Sequence, residues 1–548
     1  MKNALYFGDC LEIMRDLNAE SVDLIYLDPP FNSKADYNVL FNSPTGDRSR
    51  SQIEAFEDTW HWCEQSEQEF SNILRQANTN VSELIVALRR FLGQNDIMAY
   101  LVMMASRLLE MHRVLKSTGS LYLHCDPTAS HYLKILLDAI FGAVRFKNEV
   151  IWQRTNSKGH AYTRLPSAHD TILAYEKDKA KAWNPIHLPH SESYKKSHYS
   201  RVDKDTGRHY RLDNCLNPNP DRPNLTYEWN GLVRVWRWTK DKMQELHNTD
   251  RLVYSASGMP QYKRYLDEMK GTPATDVWTD IPPINSQAKE RLGYPTQKPL
   301  ALLERIISLS SNKGDLILDP FCGCGTAVHA AQKLSRQWIG IDITHLAISL
   351  IEKRLRDAFP GIQFDTFGTP KDIEGARDLA LRDKYQFQWW ACSLVNAQPY
   401  QGKKKGADGG IDGIIYFQDD IKSQPKKIIV SVKGGQNVSV PMIRDLVAVI
   451  EREKAEIGLF VTLEEPTKPM RTEAVAKGLY ICPHNGMQYP KIQILTVKGL
   501  LEGIEKPAYT DLQSGDLTLK RAERAKPTSH QHKLVDPYYN TDLLSSKE

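Results

Sequence analysis

The feature that most restricts this chain is an alternation of strand-length apolar runs with helix-spaced stretches, broken off near residue 155 and resumed near residue 299. Before the break, Ala4–Phe7 and Val22–Leu27 read as strands, with helical spacing over 11–17 between them. Residues 98–115 read as a long amphipathic helix ended by Gly119, 120–124 as a strand, 131–141 as a helix and 149–153 as a strand. After the break, 299–309, 327–334 and 346–355 read as helices, and 316–318 and 338–341 as strands. Such a βαβα rhythm buries its strands as a parallel sheet covered on both faces, so the fold class is α/β.

The interval 155–287 lacks the rhythm. It is rich in Asn, Pro, Tyr, Arg and Lys, with aromatics at Tyr227, Trp229, Trp236 and Trp238, and reads as an inserted irregular subdomain. A second unit begins near Asp372, with helices over 382–395 and 442–453 and strands over 411–417, 427–432 and 457–462. Beyond 506 the chain turns polar and basic, as a disordered tail would. The expected division is 1–371, interrupted by 155–287, then 372–505, then a tail over 506–548.

Two strings close apolar runs of the first unit. Asp319-Pro320-Phe321-Cys322-Gly323-Cys324-Gly325-Thr326 leads from a strand into a helix. Glycines at such a turn let a ligand approach backbone amides without side-chain clash. Asp342 ends the next strand, at the roughly twenty-residue spacing of a ribose-binding acid. The loop is shorter than G-x-G-x-x-G and carries Asp319 before it, so S-adenosylmethionine suits it better than a nicotinamide cofactor. Thr296, Gln297 and Lys298 converge just upstream, where Pro299 opens a helix. Gly8-Asp9-Cys10 closes the first strand, where Asp9 either accepts from an adenine amino group, caps the helix beginning at Leu11, or does both.

The other string is Asp28-Pro29-Pro30-Phe31. The lone pair of an exocyclic amino group is delocalised into its ring, so the nitrogen is a poor nucleophile. Two acceptors, one per amino hydrogen, draw it toward a tetrahedral shape. Asp28 supplies a carboxylate and Pro29 a carbonyl, while Pro30 removes an amide donor and stiffens the turn. Phe31 offers a ring on which a flipped base stacks. Alignment and stabilisation of the charge developing on nitrogen would carry the chemistry.

In this order, with the insert, Thr296–Lys298 and Asp342 in place, residues 4–357 resemble the β-class DNA amino-methyltransferases. The resemblance implies a mostly parallel seven-stranded sheet with one antiparallel strand, S-adenosylmethionine as donor, and adenine N6 or cytosine N4 of double-stranded DNA as target. Asp at the first motif position is the usual adenine pattern, so Asp28 favours adenine over cytosine. It further implies Asp9, Cys10, Thr296, Lys298, Asp319, Phe321, Gly323, Gly325, Thr326 and Asp342 around the cofactor. Asn148-Glu149-Val150-Ile151-Trp152 is similar to the family's segment near the target base, or is simply a buried strand. The insert would be the target-recognition region, with Arg201, Lys204, Arg208, Arg211, Arg234, Arg237 and Lys240 interleaved with Tyr199, Tyr210, Trp236 and Trp238. Related methylases are often dimers, so a homodimer is one expected assembly and a restriction or defence partner another.

Global charge is mild, +4 from 71 Lys+Arg against 67 Asp+Glu, so DNA contact must come from local patches. The eight cysteines are scattered, and Cys322 and Cys324 read as small residues of a tight loop rather than metal ligands. With no basic-then-apolar leader and no apolar run of bilayer length, a cytoplasmic protein is expected.

In the second unit, Asp408-Gly409-Gly410-Ile411-Asp412-Gly413 precedes one strand, and Ser431-Val432-Lys433 ends another. Residues 385–500 resemble the Mrr-like branch of the PD-(D/E)xK nucleases. The resemblance implies a site at Asp412, Ser431 and Lys433, with Asp412 as ligand to magnesium. The family usually has Glu or Gln where this chain has Ser431, and Gln386 and Gln388 lie on the preceding helix where some relatives carry Glu. Two readings stay open, a magnesium-dependent nuclease and a domain that binds DNA or a partner without cutting. Lys403-Lys404-Lys405 suits either through phosphate contacts.

Overall fold

The computed structural model describes residues 3–30, 36–40, 52–57, 61–75, 78–155, 165–179, 182–285, 288–292, 294, 296–400, 409–420, 424–513 and 517–525, with backbone alone for 36–40 and 52–57. Phe31, Asp408, Lys403, Lys404 and Lys405 lie outside the described residues, as does 526–548.

A nine-stranded sheet organises the first unit. Its order is Val277–Trp278, Phe146–Gln153, His169–Glu176, Leu115–Cys125, Val22–Leu27, Leu316–Asp319, Gln337–Asp342, Ala4–Phe7 and Asp365–Phe367. All neighbours pair in parallel except at His169–Glu176, which is antiparallel to both of its neighbours. Two short edge strands, Val277–Trp278 and Asp365–Phe367, thus extend the expected seven. The central strands are mostly apolar, as strands covered on both faces are, with Asp23 and Asp319 the charged residues of Val22–Leu27 and Leu316–Asp319. Helix Asp96–Val114 buries residues around its whole circumference, and Met104, Leu108 and Met111 join Ile25, Leu27, Leu121 and Leu123 in one core.

Two expectations need correcting here. Gly119 does not end the helix, which stops at Val114. It lies inside the strand Leu115–Cys125, where pairing with Val22–Leu27 shifts register and a Cβ would come within 2.9 Å of the Asp23 carbonyl. The rhythm also does not fail at 155, because His169–Glu176 belongs to the central sheet. An antiparallel neighbour needs no crossover helix, so no βα signal announced it.

The irregular unit is narrower, Pro185–Thr275. It carries a four-stranded sheet in the order Leu252–Tyr254, Pro260–Tyr265, His209–Asn214, Arg201–Val202, and a hairpin of Thr226–Trp229 with Leu232–Val235. The aromatics supply its core: Trp229 and Trp236 pack with Cys215, Met243, Leu246 and Leu252.

The C-terminal part builds a five-stranded sheet, Gln398–Pro399, Gly413–Phe417, Lys426–Lys433, Ile457–Thr462 and Ile492–Thr496. Apolar clusters cover both faces, one packed under helix Lys384–Leu394 and the other under Val440–Arg452. The stretch after 506 is not a tail as far as Ala525. Thr518 is buried, its hydroxyl bonded to the Tyr416 main chain, and Ala525 N donates to Ala358 O. Its polar composition hid these main-chain anchors.

Candidate active site

Four parallel strands that are neighbours in the sheet end side by side: Val22–Leu27, Leu316–Asp319, Gln337–Asp342 and Ala4–Phe7. Their C-terminal ends carry Asp28, Asp319, Asp342 and Asp9, so residues more than 300 positions apart line one cavity of about 220 Å3. Ligands of open α/β sheets bind at such strand ends. Cys10, Pro29, Pro30, Thr296, Lys298, Phe321, Gly323 and Thr326 also line it.

The glycine loop forms one wall. Gly323 and Gly325 have φ of +49° and +72°, and Gly325 is the left-handed cap of helix Thr326–Lys333. A Cβ on Gly325 would lie 2.8 Å from Ile351 Cγ1, so glycine is required there for packing as well as for conformation. Asp342 braces the loop: Oδ2 accepts from Gly323 N at 2.9 Å, and Oδ1 from the amide and hydroxyl of Thr344, both at 2.9 Å. One lone-pair direction on Oδ2 is left for a hydroxyl. Burial pushes the Asp342 carboxyl up to about 6, against the pull of these bonds. Burial also pushes Asp319 well above the usual carboxylate range, with Asp28 and Asp342 adding to the shift.

Asp28 forms the facing wall. Lys298 Nζ is 2.5 Å from its Oδ2, and its Oδ1 is buried with no partner among the described residues. A buried carboxylate oxygen without a partner is costly and marks a place where a donor is missing. Gln297 also lines the cavity, with its amide engaged in the loop. It accepts from Leu292 N and donates to the Glu290 carbonyl, which holds the loop that carries Lys298.

Asp9 caps its helix through Leu11 N at 2.8 Å and is gripped by Arg107, whose Nη2 lies 3.0 and 2.7 Å from the two oxygens. Arg107 is absent from the sequence reading, although a lone charge in the apolar run Met103-Met104-Ala105-Ser106-Arg107-Leu108 was the available signal. Tyr26, Tyr294 and Thr344 were also missed. Tyr294 is buried against Gly323, and on its other side it packs with Cys324, Leu346 and Trp389. Trp389 belongs to helix Lys384–Leu394, so the second unit buttresses the cavity wall. On the same helix, Gln386 Oε1 accepts from His345 N.

In Pro185–Thr275, Arg208 pairs with Asp267 and Glu268, and Arg211 with Asp213, while Tyr199 and Trp236 are buried. Those four build the unit. Arg201, Lys204, Arg234, Arg237 and Lys240 are exposed.

At the C-terminal site, Asp412 Oδ1 accepts from Gln388 Nε2 at 3.0 Å and Oδ2 from Val432 N at 2.7 Å. Ser431 is buried and Lys433 half-buried on the neighbouring strand. Among the described residues, no group of three or more His, Cys, Asp or Glu side chains is placed to hold a metal ion. A hard divalent cation asks for six or more oxygens. Among the described residues, Asp412 is the one carboxylate of the expected set, and each of its oxygens already accepts one hydrogen bond.

A model of the N6/N4 DNA methylase family matches residues 22–353, well over half the chain. The chain belongs to that DNA methylase family. Residues 381–484 match the Mrr-type restriction endonuclease family. Among relatives of the methylase, the Type II methyltransferase M.EcaI of Enterobacter cloacae is 34% identical over 261 residues, 47% of this chain and 57% of its own length. The Type III restriction-modification enzyme StyLTI Mod subunit of Salmonella typhimurium is 28% identical over 355 residues, 61% of this chain and 50% of its own. The chain thus spans about half the length of these relatives. In the methylase, no helix among the described residues is long and apolar enough to cross a membrane.

Proposed function

We propose that this methylase transfers a methyl group from S-adenosylmethionine to adenine N6 in double-stranded DNA. The observation that carries the reading is Asp28 Oδ1, a buried acceptor without a partner among the described residues, on a side chain that lines the same cavity as Gly323 and Asp342. S-adenosylmethionine, when bound, supplies an electrophilic methyl group. Asp342 would accept from its ribose, and the open glycine turn gives it room. Asp28 Oδ1 accepts one hydrogen of the target amino group and the Pro29 carbonyl the other, which aims the nitrogen lone pair across the cavity. Lys298 pairs with Asp28 Oδ2 and fixes its orientation. A base reaches this depth only when flipped from the duplex.

Adenine is favoured over cytosine by Asp28 at the first motif position. We keep the division 1–371 and 372–505, which is compatible with family matches over 22–353 and 381–484, and assign Pro185–Thr275, within the expected 155–287, to target recognition. Action on DNA is in keeping with a cytoplasmic protein, working as a homodimer or with a restriction partner. We assign the C-terminal domain to DNA or partner binding, a reading supported by Ser431 at the position where the nuclease family has Glu or Gln and by the tie of Asp412 to Gln388 and Val432. Incubation with unmethylated DNA and the donor, followed by mass spectrometry of the nucleosides, tests the reading. N6-methyladenine supports it, and N4-methylcytosine would replace adenine by cytosine as the target.

A further inference from the structure

Helix Lys384–Leu394 of the C-terminal domain sends its polar side chains two ways. Gln386 and Gln388 both stand where some nuclease relatives carry Glu, yet residues two apart on a helix do not share a face. Gln388 turns to its own domain, where Nε2 donates to Asp412 Oδ1 at 3.0 Å. Gln386 and Trp389, three apart, do share a face, and both meet the methylase. Trp389 packs with Tyr294, Cys324 and Leu346. Gln386 Oε1 accepts from His345 N at 3.1 Å.

His345 is the first residue of helix His345–Ala358. The first amides of a helix have no partner inside it and must find one elsewhere. The N-cap Thr344 covers Ala347 N through Oγ1 at 3.2 Å, and Gln386 covers His345 N. Both Thr344 and His345 are buried, so solvent is a poor substitute for the Gln386 carbonyl. The His345 ring stacks on Phe7, with centroids 3.6 Å apart, so the helix start is wedged between the end of strand Ala4–Phe7 and Gln386.

The same turn sets Asp342. Thr344 donates its amide and its hydroxyl to Asp342 Oδ1, both at 2.9 Å. A shift of the helix start therefore moves Thr344, and Thr344 moves the carboxylate.

We propose that Gln386 is a positioning residue of the donor site, supplied to the methylase by its C-terminal domain. It fixes the first turn of His345–Ala358 and, through Thr344, the orientation of Asp342 toward the donor's ribose. This role rests on the methylase reading and deepens it: the nuclease-like domain completes the donor site, and one of the two glutamines read as nuclease residues serves methylation.

The test is calorimetric binding of S-adenosylmethionine to the full chain, alongside single-turnover methyl transfer at saturating donor. Gln386→Met keeps the length of the side chain and leaves His345 N without its acceptor. Donor affinity is expected to fall about tenfold, while the rate at saturating donor stays within about threefold, since Asp28 and Pro29 are untouched. Gln386→Glu keeps an acceptor, at a helix N-terminus that suits its charge, and should bind the donor within about threefold of wild type. Thr344→Val acts on the same carboxylate, so combining it with Gln386→Met should cost less affinity than the product of the two single losses. If Gln386→Met does not fold, Gln386→Lys decides, since it too lacks an acceptor and can reach solvent from this half-buried position. Unchanged donor affinity in the variant without an acceptor, or an equal loss in Gln386→Glu, would overturn the role while leaving the methylase reading intact. A wild-type chain that binds no S-adenosylmethionine would remove the reading and the role together.

Discussion

Lys298 holds one oxygen of Asp28 at 2.5 Å and leaves the other buried without a partner among the described residues. The pair divides the carboxylate's work. One oxygen is tied to a positive charge that holds the group in place, and the other is left as an acceptor. An amide at position 28 cannot do both, because its NH2 would meet either the ammonium or the target's own amino hydrogens.

Asp28→Asn is therefore expected to lower single-turnover methyl transfer by about 10²- to 10³-fold, the range for removing one preorganised charge-stabilising contact. Calorimetric affinity for S-adenosylmethionine should stay within about threefold, since none of the proposed donor contacts is removed. An equal loss in binding and rate would place Asp28 on the donor instead.

The pH dependence of donor binding should be set by Asp342, whose carboxyl burial pushes up to about 6. On the proposed reading, the ionised form would accept from the donor's ribose hydroxyls. Affinity is thus full above about pH 7 and falls as pH drops through 6, and calorimetric titrations from pH 5 to 8 should trace that fall. Asp342→Asn should flatten the profile at a weak affinity. For folding the sign is opposite: with its folded value raised above the ordinary value of about 3.9, the group binds more protons folded than unfolded. The ligand-free protein accordingly gains stability from Asp342 as pH falls from about 6 toward 4, a gain that Asp342→Asn should lack in thermal melts.

Trp389→Ala should damage both units. The indole is buried with Tyr294, Cys324 and Leu346 under the glycine loop. Removing a buried Trp costs about 3–5 kcal/mol, and denaturant titration should show a lower midpoint. Because Tyr294 leans on Gly323, donor affinity should fall as well, whereas a purely local effect would leave binding untouched.

Much of this was legible in the sequence, for a physical reason. Asp28, Asp319 and Asp342 stand at strand ends and Gly323 and Gly325 in the turn after one, and a parallel sheet gathers strand ends at one edge whatever their distance along the chain. Arg107 was not legible, because its meaning lies in Asp9, 98 residues away and met only through packing of helix Asp96–Val114. Tyr294 and Trp389 were hidden likewise, since neither carries a local pattern. His169–Glu176 was lost within the apparent insert because antiparallel pairing leaves no crossover helix to read.

The C-terminal domain is expected to leave DNA uncut in magnesium. Both oxygens of Asp412 already accept from Gln388 and Val432, which makes Asp412 a tie between helix and strand. Supercoiled DNA incubated with the full chain and magnesium should run unchanged on a gel, and Asp412→Ala should lower thermal stability without altering the DNA. Magnesium-dependent cuts that vanish in Asp412→Ala would reverse this assignment.

The most direct test of the central claim is transfer of an isotope-labelled methyl group from S-adenosylmethionine to unmethylated duplex DNA, with the nucleosides resolved by mass spectrometry for wild type and Asp28→Ala. The account predicts labelled N6-methyladenine from the wild type and none from Asp28→Ala at equal donor occupancy. Labelled adenine from both proteins, or no labelled base from the wild type, would contradict it.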